Sequence, residues 1–196
     1  MEETIYPGIR RILAPNPSPM TFTGTNTYLI GYKEIAVIDP GPLSSSHLRN
    51  ILKATKAGSK ITKIFVTHSH IDHSPLAAEL SEQTNAKVYA FGDSFAGRSI
   101  EMNKLAHNNS IGGGEGVDTN FKPNVSLMDG AELIHDNEKI IAIWTPGHFG
   151  NHMAFIFKDY LFCGDHVMGW ASSMVSPPDG DLAAFRKSCA KLLEKS

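Results

Sequence analysis

One stretch of eight residues decides how this sequence is interpreted, and it reads Thr67-His68-Ser69-His70-Ile71-Asp72-His73-Ser74. It gathers three imidazoles and one carboxylate directly after an apolar run and directly before the expected start of a helix. Zinc binds to nitrogen atoms of His and oxygen atoms of Asp, which are the groups clustered here. The stretch therefore predicts a metal site rather than a polar loop in which histidines meet by chance.

The spacing inside this stretch favours two metal ions over one. His68 and His70 are two residues apart, so their side chains leave the same face if the chain stays extended. Asp72 and His73 then lie in the turn that follows, from which they can point at a second centre.

Length and composition indicate one domain with a substantial apolar core. The chain has 196 residues, 41% of them hydrophobic, and a formal net charge of −2, so charge alone requires no nucleic-acid or membrane partner. Cys163 and Cys189 are too few for a disulfide framework, and no signal sequence or apolar run of about 18 residues is present. We therefore expect a cytoplasmic globular protein without a membrane partner. The sequence gives no prediction of the oligomeric state.

The order of elements predicts an α/β layered sandwich. A proline-rich opening is expected along the surface or a sheet edge. A long connection with a short helix and a glycine-rich mobile loop at 112–116 is expected between 92 and 125. Predicted strands span 25–30, 35–38, 61–66, 87–91, 131–134, 139–144, 152–157 and 160–163. Helices are expected after caps at Ser46 and Ser74, and after 177–181 with an apolar face of Leu182, Phe185, Cys189, Leu192 and Leu193.

Two further turns place metal-binding residue types directly after predicted strands. His148 follows the strand that ends at Trp144, and Asp165 follows the strand that ends at Cys163. Strand ends are rigid positions from which a sheet can present ligands. We expect both residues to join the histidine-rich stretch, whereas His47, His107 and His135 are expected to be ordinary surface residues.

The motif at 67–73 resembles the T-H-x-H-x-D-H signature of the metallo-β-lactamase superfamily, and the resemblance extends over nearly the whole chain. It implies a four-layer αββα sandwich formed by one domain over 1–196, with a C-terminal portion expected to be missing. The reason for that expectation is that the superfamily usually supplies a last second-metal histidine after the Gly-Asp motif, and no such Gly-His-Gly turn follows Asp165.

Carried over by motif, the resemblance implies a set of ligands for two zinc ions. The first ion would be bound by His68, His70 and His148, the second by Asp72 and His73, and Asp165 would bridge them. Asp72 would also hold or shuttle a proton as the catalytic residue. The residues expected to orient ligands or contact substrate are Asp39, Thr67, His152 and His166.

The segments 164–170 and 176–181 are similar to the β-lactamase-like protein 2 branch of this superfamily, with a bacterial-type member as the nearest kind. That similarity implies a dinuclear zinc hydrolase that uses a metal-bridging hydroxide on a phosphodiester such as single-stranded RNA. A thioester or acyl hydrolase of the glyoxalase II type is the alternative. Against it, the segment after Asp165 lacks the Gly-Cys-Gly-Arg type of segment that those enzymes carry. A second alternative is a metal-binding subunit without catalytic activity.

Overall fold

The computed structural model describes residues 2–107 and 114–195. Its strands form two sheets that face each other, and helices cover the outer face of each sheet. The predicted four-layer αββα sandwich is therefore confirmed.

Among the residues that the structure describes, the larger sheet has seven strands in the order of the chain. The first four strands pair antiparallel, and the following pairs are parallel, so the sheet changes from hairpins to crossover connections at β4. Its strands are β1 (Glu2–Tyr6), β2 (Ile9–Leu13), β3 (Asn26–Ile30), β4 (Glu34–Ile38), β5 (Lys60–Phe65), β6 (Lys87–Ala90) and β7 (Val125–Ser126).

The smaller sheet is antiparallel, with the order β11-β10-β9-β8. Its strands are β8 (Glu132–His135), β9 (Glu138–Trp144), β10 (Met153–Phe157) and β11 (Tyr160–Phe162). The helices within the described ranges are α1 (Ser45–Lys53), α2 (Leu76–Thr84), α3 (Ile100–His107) and α4 (Leu182–Leu193), with a short 3-10 helix at Gly164–His166.

Alternation along β4 shows how the two sheets and the helices share the core. Ile35 and Val37 pack with α1 and α2, whereas Ala36 and Ile38 pack with the smaller sheet. Successive side chains of a strand point to opposite faces, so a strand covered on both faces is apolar throughout. On the far side of the smaller sheet, Leu192 of α4 packs on two of its side chains, Ile143 and Ala154.

The N-terminal segment contributes more to the sheet than the proline pattern indicates. It forms β1, which is exposed, and β2, whose Ile9 and Ile12 are buried on opposite faces of the sheet. The expected position along a sheet edge is thus correct, but the two strands themselves were not predicted, nor was the short β7.

Both predicted serine caps are wrong, for different reasons. Ser44, not Ser46, caps α1, because Ser44 has the extended backbone that a cap needs and its hydroxyl accepts from the backbone N–H of His47. Ser74 donates its hydroxyl to Asp118 at 2.7 Å instead of capping α2, and Pro75 occupies the cap position.

The predicted apolar face of α4 is also partly wrong. Leu182 and Leu193 are 63% and 75% exposed, whereas Ser188 and Leu192 are buried. The backbone of Phe185 lies so close to Gly147 that a side chain at position 147 would overlap it, so the first turn of α4 packs directly on the turn before His148.

His47 and His135 are buried rather than on the surface, so that expectation is wrong for both. His47 Nε2 lies 2.8 Å from the hydroxyl of Thr27, and His135 Nε2 lies 3.0 Å from the carbonyl oxygen of Ile30. Each imidazole is held inside the fold by a polar partner, which periodicity does not reveal. His107 is exposed, as expected.

Of the glycine-rich loop, Gly112 and Gly113 lie outside the described residues, whereas Gly114 to Gly116 lie within them. No helix in the two described ranges is both long enough and apolar enough to cross a membrane.

Candidate metal centre

Three strand ends bring the predicted ligands together at one edge of the sandwich. The chain leaves β5 before His68 and His70, leaves β9 before His148, and leaves β11 before Asp165. One donor atom from each of these four residues lies within 4.8 Å of all the others. Residues separated by almost a hundred positions therefore meet because the strands that precede them pack in one sandwich.

In the first group of donors, three ring nitrogens face one another. His68 Nε2 lies 2.8 Å from His70 Nδ1, which in turn lies 3.1 Å from His148 Nε2. The extended stretch predicted for His68 and His70 ends earlier, since β5 stops at Phe65, yet both rings still point to the same place with centroids 4.6 Å apart.

A second group of donors consists of Asp72 and His73 in the turn after His70. His73 Nε2 lies 3.1 Å from Asp72 Oδ2 and 3.3 Å from Asp165 Oδ1. The other oxygen of Asp165 lies 3.8 Å from His148 Nε2. Asp165 therefore presents one oxygen to each group, which is the arrangement of a bridging carboxylate.

Asp39 orients the motif from β4. Its carboxylate accepts hydrogen bonds from the backbone N–H of Thr67 at 2.7 Å, from the Thr67 hydroxyl at 2.8 Å and from His73 Nδ1 at 2.9 Å. The Thr67 hydroxyl also lies 3.0 Å from His68 Nδ1. A partner on one ring nitrogen fixes the tautomer and leaves the other nitrogen free to bind a cation.

Two other orienting contacts come from positions that sequence reasoning missed. Thr25 donates its hydroxyl to Asp72 Oδ2 at 2.8 Å, and the carbonyl oxygen of Met174 lies 2.6 Å from His148 Nδ1. The Thr25 position was assigned only to a strand, and no sequence signal marks a backbone carbonyl as a histidine partner.

The backbone around His70 is held by a segment from the long connection. The N–H of Ile71 donates to Gly116 at 2.8 Å, and the N–H of Asp118 donates to Ser69 at 2.9 Å. The side-chain amide of Asn151 donates to the Ser69 hydroxyl at 3.0 Å. The histidine motif is therefore fixed on several sides although it lies outside regular secondary structure.

Burial and neighbouring charge set the protonation of the centre. Burial, reinforced by the neighbouring imidazoles, lowers the pKa of His68 well below its usual value and that of His70 to about 4. Burial opposes ionisation of Asp165, but His73 beside it outweighs burial and lowers the pKa of Asp165 to about 2. The first group thus offers neutral imidazoles and the bridge offers a carboxylate, which are the forms that bind metals.

The contacts between the donor atoms indicate that this set of residues suits divalent cations. His70 Nδ1 can carry only one proton, so it cannot satisfy both His68 Nε2 and His148 Nε2 with hydrogen bonds.

In the second group, burial opposes protonation of His73, but Asp72 and Asp165 outweigh it and raise the pKa of His73 well above its usual value. The metal-free ring therefore carries a proton on Nε2 between two carboxylate oxygens, while Nδ1 is bound to Asp39. A cation would remove the conflict in the first group and take the place of that proton in the second.

His152 and His166 lie behind the donors rather than among them. His152 packs beneath His68 with ring centroids 5.2 Å apart, and its Nδ1 lies 2.8 Å from the Thr145 hydroxyl. His166 turns toward α4, with its ring 4.3 Å from that of Phe185. Both rings are buried and pack with other aromatic rings, and neither lies in the four-residue donor group.

A cavity of about 360 Å³ opens next to the second group of donors. Asp39, Asp72, His73 and Asp165 all reach its wall. Among the described residues none of the lining side chains is Lys or Arg, and much of the wall is apolar, through Ile5, Met20, Tyr28, Phe162, Met168 and Trp170.

Comparisons with a family model and with individual proteins point to the same family. The family model of the metallo-beta-lactamase superfamily matches residues 20–195. The beta-lactamase-like protein 2 homolog of Drosophila melanogaster is 30% identical over 202 residues, which cover 94% of this chain and 59% of that protein. An atrochrysone carboxyl ACP thioesterase of Passalora fulva is 27% identical over 200 residues, covering 98% and 52%. The chain thus spans about half the length of the curated relatives it matches.

A solved structure with the same fold is that of TTHA1623 in a di-iron-bound form. It superposes with a TM-score of 0.64 at 22% identity, over 93% of this chain and 86% of that one. At this identity the likeness concerns the fold.

Proposed function

The chain belongs to the metallo-beta-lactamase superfamily, and we propose from that premise that it is a metal-dependent hydrolase. The observation that carries the proposal is the convergence of two groups of donors on one shared carboxylate, that of Asp165. A metal site built at three strand ends beside an open cavity is suited to catalysis, because ligands are held rigidly while substrate can enter.

Each residue of the centre has a role that follows from its contacts. His68, His70 and His148 would hold the first ion, Asp72 and His73 the second, and Asp165 both. Bound divalent cations supply Lewis acidity, which activates water at neutral pH and polarises the bond to be broken. Asp72 lies on the cavity wall, where its second oxygen can hold and pass on a proton while Thr25 fixes the first.

Zinc in both positions is the proposed cofactor, since imidazole and carboxylate ligands suit zinc. The similar fold of TTHA1623 in a di-iron-bound form makes iron the competing metal. The metal that co-purifies with protein expressed without supplement, measured by elemental analysis, distinguishes the two.

For the substrate, we propose an acyl thioester with an apolar acyl group. The wall of the cavity beside the centre is more apolar than polar, and over the described part of the chain it carries no Lys or Arg to bind a polyanion. A relative named as a thioesterase is similar over 98% of this chain. The leaving group at the scissile bond of a thioester is neutral, so binding it requires no cationic side chain.

A phosphodiester such as single-stranded RNA, the substrate favoured from sequence, is the second candidate. Two observations favour it: the similarity to the β-lactamase-like protein 2 branch, from which this substrate was expected, and a pair of aromatic rings of which Trp170 lines the cavity. Phe22 and Trp170 stack with centroids 5.3 Å apart and are 58% and 46% exposed. Exposed rings of this kind can stack on unpaired bases.

The test compares two substrates on the same zinc-loaded protein. Release of free thiol from a medium-chain acyl thioester is measured beside cleavage of a labelled single-stranded oligoribonucleotide, with His68→Ala as the inactive control. We expect metal-dependent thioester hydrolysis that the variant lacks. Cleavage of RNA alone would establish the second candidate. Bound metal without turnover of either substrate would favour the alternative of a metal-binding subunit without catalytic activity.

The proposed setting is the reducing cytoplasm. Cys163 and Cys189 both carry free thiols, which is the usual state of cysteines in that compartment.

A further inference from the structure

Asp179 connects two segments that are far apart in the sequence. It lies in the loop between β11 and α4, and its Oδ1 accepts from the guanidinium of Arg98 in a close ion pair. Its Oδ2 accepts from the backbone N–H of Gly114 at 2.7 Å. The side chains of Asp179 and Arg98 are each only 11% exposed, so this is a largely buried pair.

The loop that carries Asp179 holds His148 on both sides. Upstream of Asp179, the carbonyl oxygen of Met174 lies 2.6 Å from His148 Nδ1. Downstream, the N–H of Asp181 donates to Gly147 at 2.8 Å, and Gly180 approaches the same turn so closely that an added Cβ would lie 2.9 Å from the Gly147 oxygen. The position of this loop therefore sets the direction of the His148 ring.

The segment that contains Gly114 holds the backbone on both sides of His70. It runs beside the metal-binding motif, where Gly116 accepts from Ile71 at 2.8 Å and Asp118 donates to Ser69 at 2.9 Å. These two hydrogen bonds flank His70. The carboxylate of Asp179 is thus the link between the backbone that positions His70 and the loop that positions His148.

We propose that Asp179 is a positioning residue for the metal centre, which it serves by fixing the loop of Met174 against the segment of Gly114, while Arg98 pairs with its other oxygen. The proposal rests on the metal centre described above. Metal geometry is sensitive to such supporting contacts, because a ligand that moves by about 1 Å no longer completes the polyhedron.

A purely structural role is the alternative, since losing one partner of a buried ion pair also destabilises a fold. Metal binding separates the two. Asp179→Asn removes the charge that pairs with Arg98, and Asp181→Asn makes the same chemical change two residues away. Asp181 caps α4 through its side chain, and Asn is an equally good cap, so this control should leave the loop in place.

The experiment titrates Co²⁺ into both variants and the wild type, with affinity measured by competition against a chelating dye. The visible spectrum of bound Co²⁺ reports the coordination geometry. We expect Asp179→Asn to bind Co²⁺ about 10- to 100-fold more weakly with an altered spectrum, and Asp181→Asn to stay within about threefold of the wild type with an unchanged spectrum.

Unchanged affinity and spectrum in a folded Asp179→Asn would overturn the positioning role. If that variant does not fold, Arg98→Met, which keeps the stem of the side chain without its charge, must show the same loss of affinity. Failure of both to fold would assign the ion pair to overall stability and overturn the proposal. A wild type that binds no Co²⁺ would instead contradict the metal centre itself.

Discussion

Asp39 Oδ2 lies 2.9 Å from Nδ1 of His73, so a residue at the end of β4 fixes the ring of a donor 34 positions later. The same carboxylate accepts both the N–H and the hydroxyl of Thr67. Asp39 has a positive φ of 51°, a conformation that Asp and Asn adopt more readily than most residues. The contacts explain why a buried carboxylate is tolerated where the sheet ends.

Asp39→Asn is expected to lower zinc affinity by about 10- to 100-fold. The carboxylate accepts three hydrogen bonds, and an amide must turn its NH₂ group toward at least one of those donors. The left-handed backbone is retained, so the fold should persist. Competition with a chelating dye measures the affinity, and Asp159→Asn, at an exposed position, is the control. Equal affinities in the two variants would show that His73 does not depend on Asp39.

His68→Ala is expected to reduce the bound metal and to lower hydrolysis by more than about 100-fold. It removes a ring nitrogen that lies 2.8 Å from His70 Nδ1 in the first group of donors. Metal content by elemental analysis and turnover are measured together, with His107→Ala on the exposed end of α3 as the control. Wild-type metal stoichiometry in His68→Ala would remove this residue from the proposed ligand set.

Stability of the metal-free protein should fall on acidification, partly through His47. Burial lowers the pKa of His47 to about 4, below its usual value of 6.5. Between pH 6.5 and about 4 the unfolded chain takes up a proton that the folded chain does not, so the stability contributed by neutral His47 is present above 6.5 and is lost as pH falls. The loss from this group reaches up to about 3 kcal/mol at pH 4.

His47→Gln tests that contribution, because the amide does not titrate. Urea unfolding of chelator-treated protein at several pH values should give a shallower dependence for the variant than for the wild type. His107→Gln changes an exposed histidine and should follow the wild type. Parallel curves for wild type and His47→Gln would mean that His47 does not contribute to the acid sensitivity.

Gly147→Ala is expected to destabilise the fold by about 3 kcal/mol or more. Gly147 has φ of 143°, and a Cβ there would overlap the backbone of Phe185 in α4. Gly169→Ala is the matched control, since among the described residues no atom lies within 4 Å of the corresponding Cβ position, and its effect should stay within about 0.5 kcal/mol. Chemical denaturation measures both, and similar stabilities would contradict the close packing of α4 against the His148 turn.

Local patterns in the sequence were sufficient for most strands and for an α/β layered sandwich, whereas the four-layer order was expected only from the family resemblance. Alternating or continuous apolar runs mark strands such as β4 and β9, because a sheet covered on both faces must be apolar there. The patterns failed for β1 and β2, where prolines nearby obscured the alternation. The patterns also failed for His47 and His135, because a polar residue can be buried wherever the fold supplies a hydrogen-bond partner, such as the Thr27 hydroxyl for His47.

For the candidate site, the sequence by itself determined the chemistry of the donors: the motif at 67–73, and His148 and Asp165 each directly after a strand. Only the tertiary structure decided that these donors meet, that Asp165 faces both groups, and that Thr25, the Met174 carbonyl and Asp179 hold them in place. Residue type and spacing are local properties of a chain. Which loops touch depends on the pairing of β5 in one sheet and of β9 to β11 in the other, and on the packing of those two sheets, which no single segment encodes.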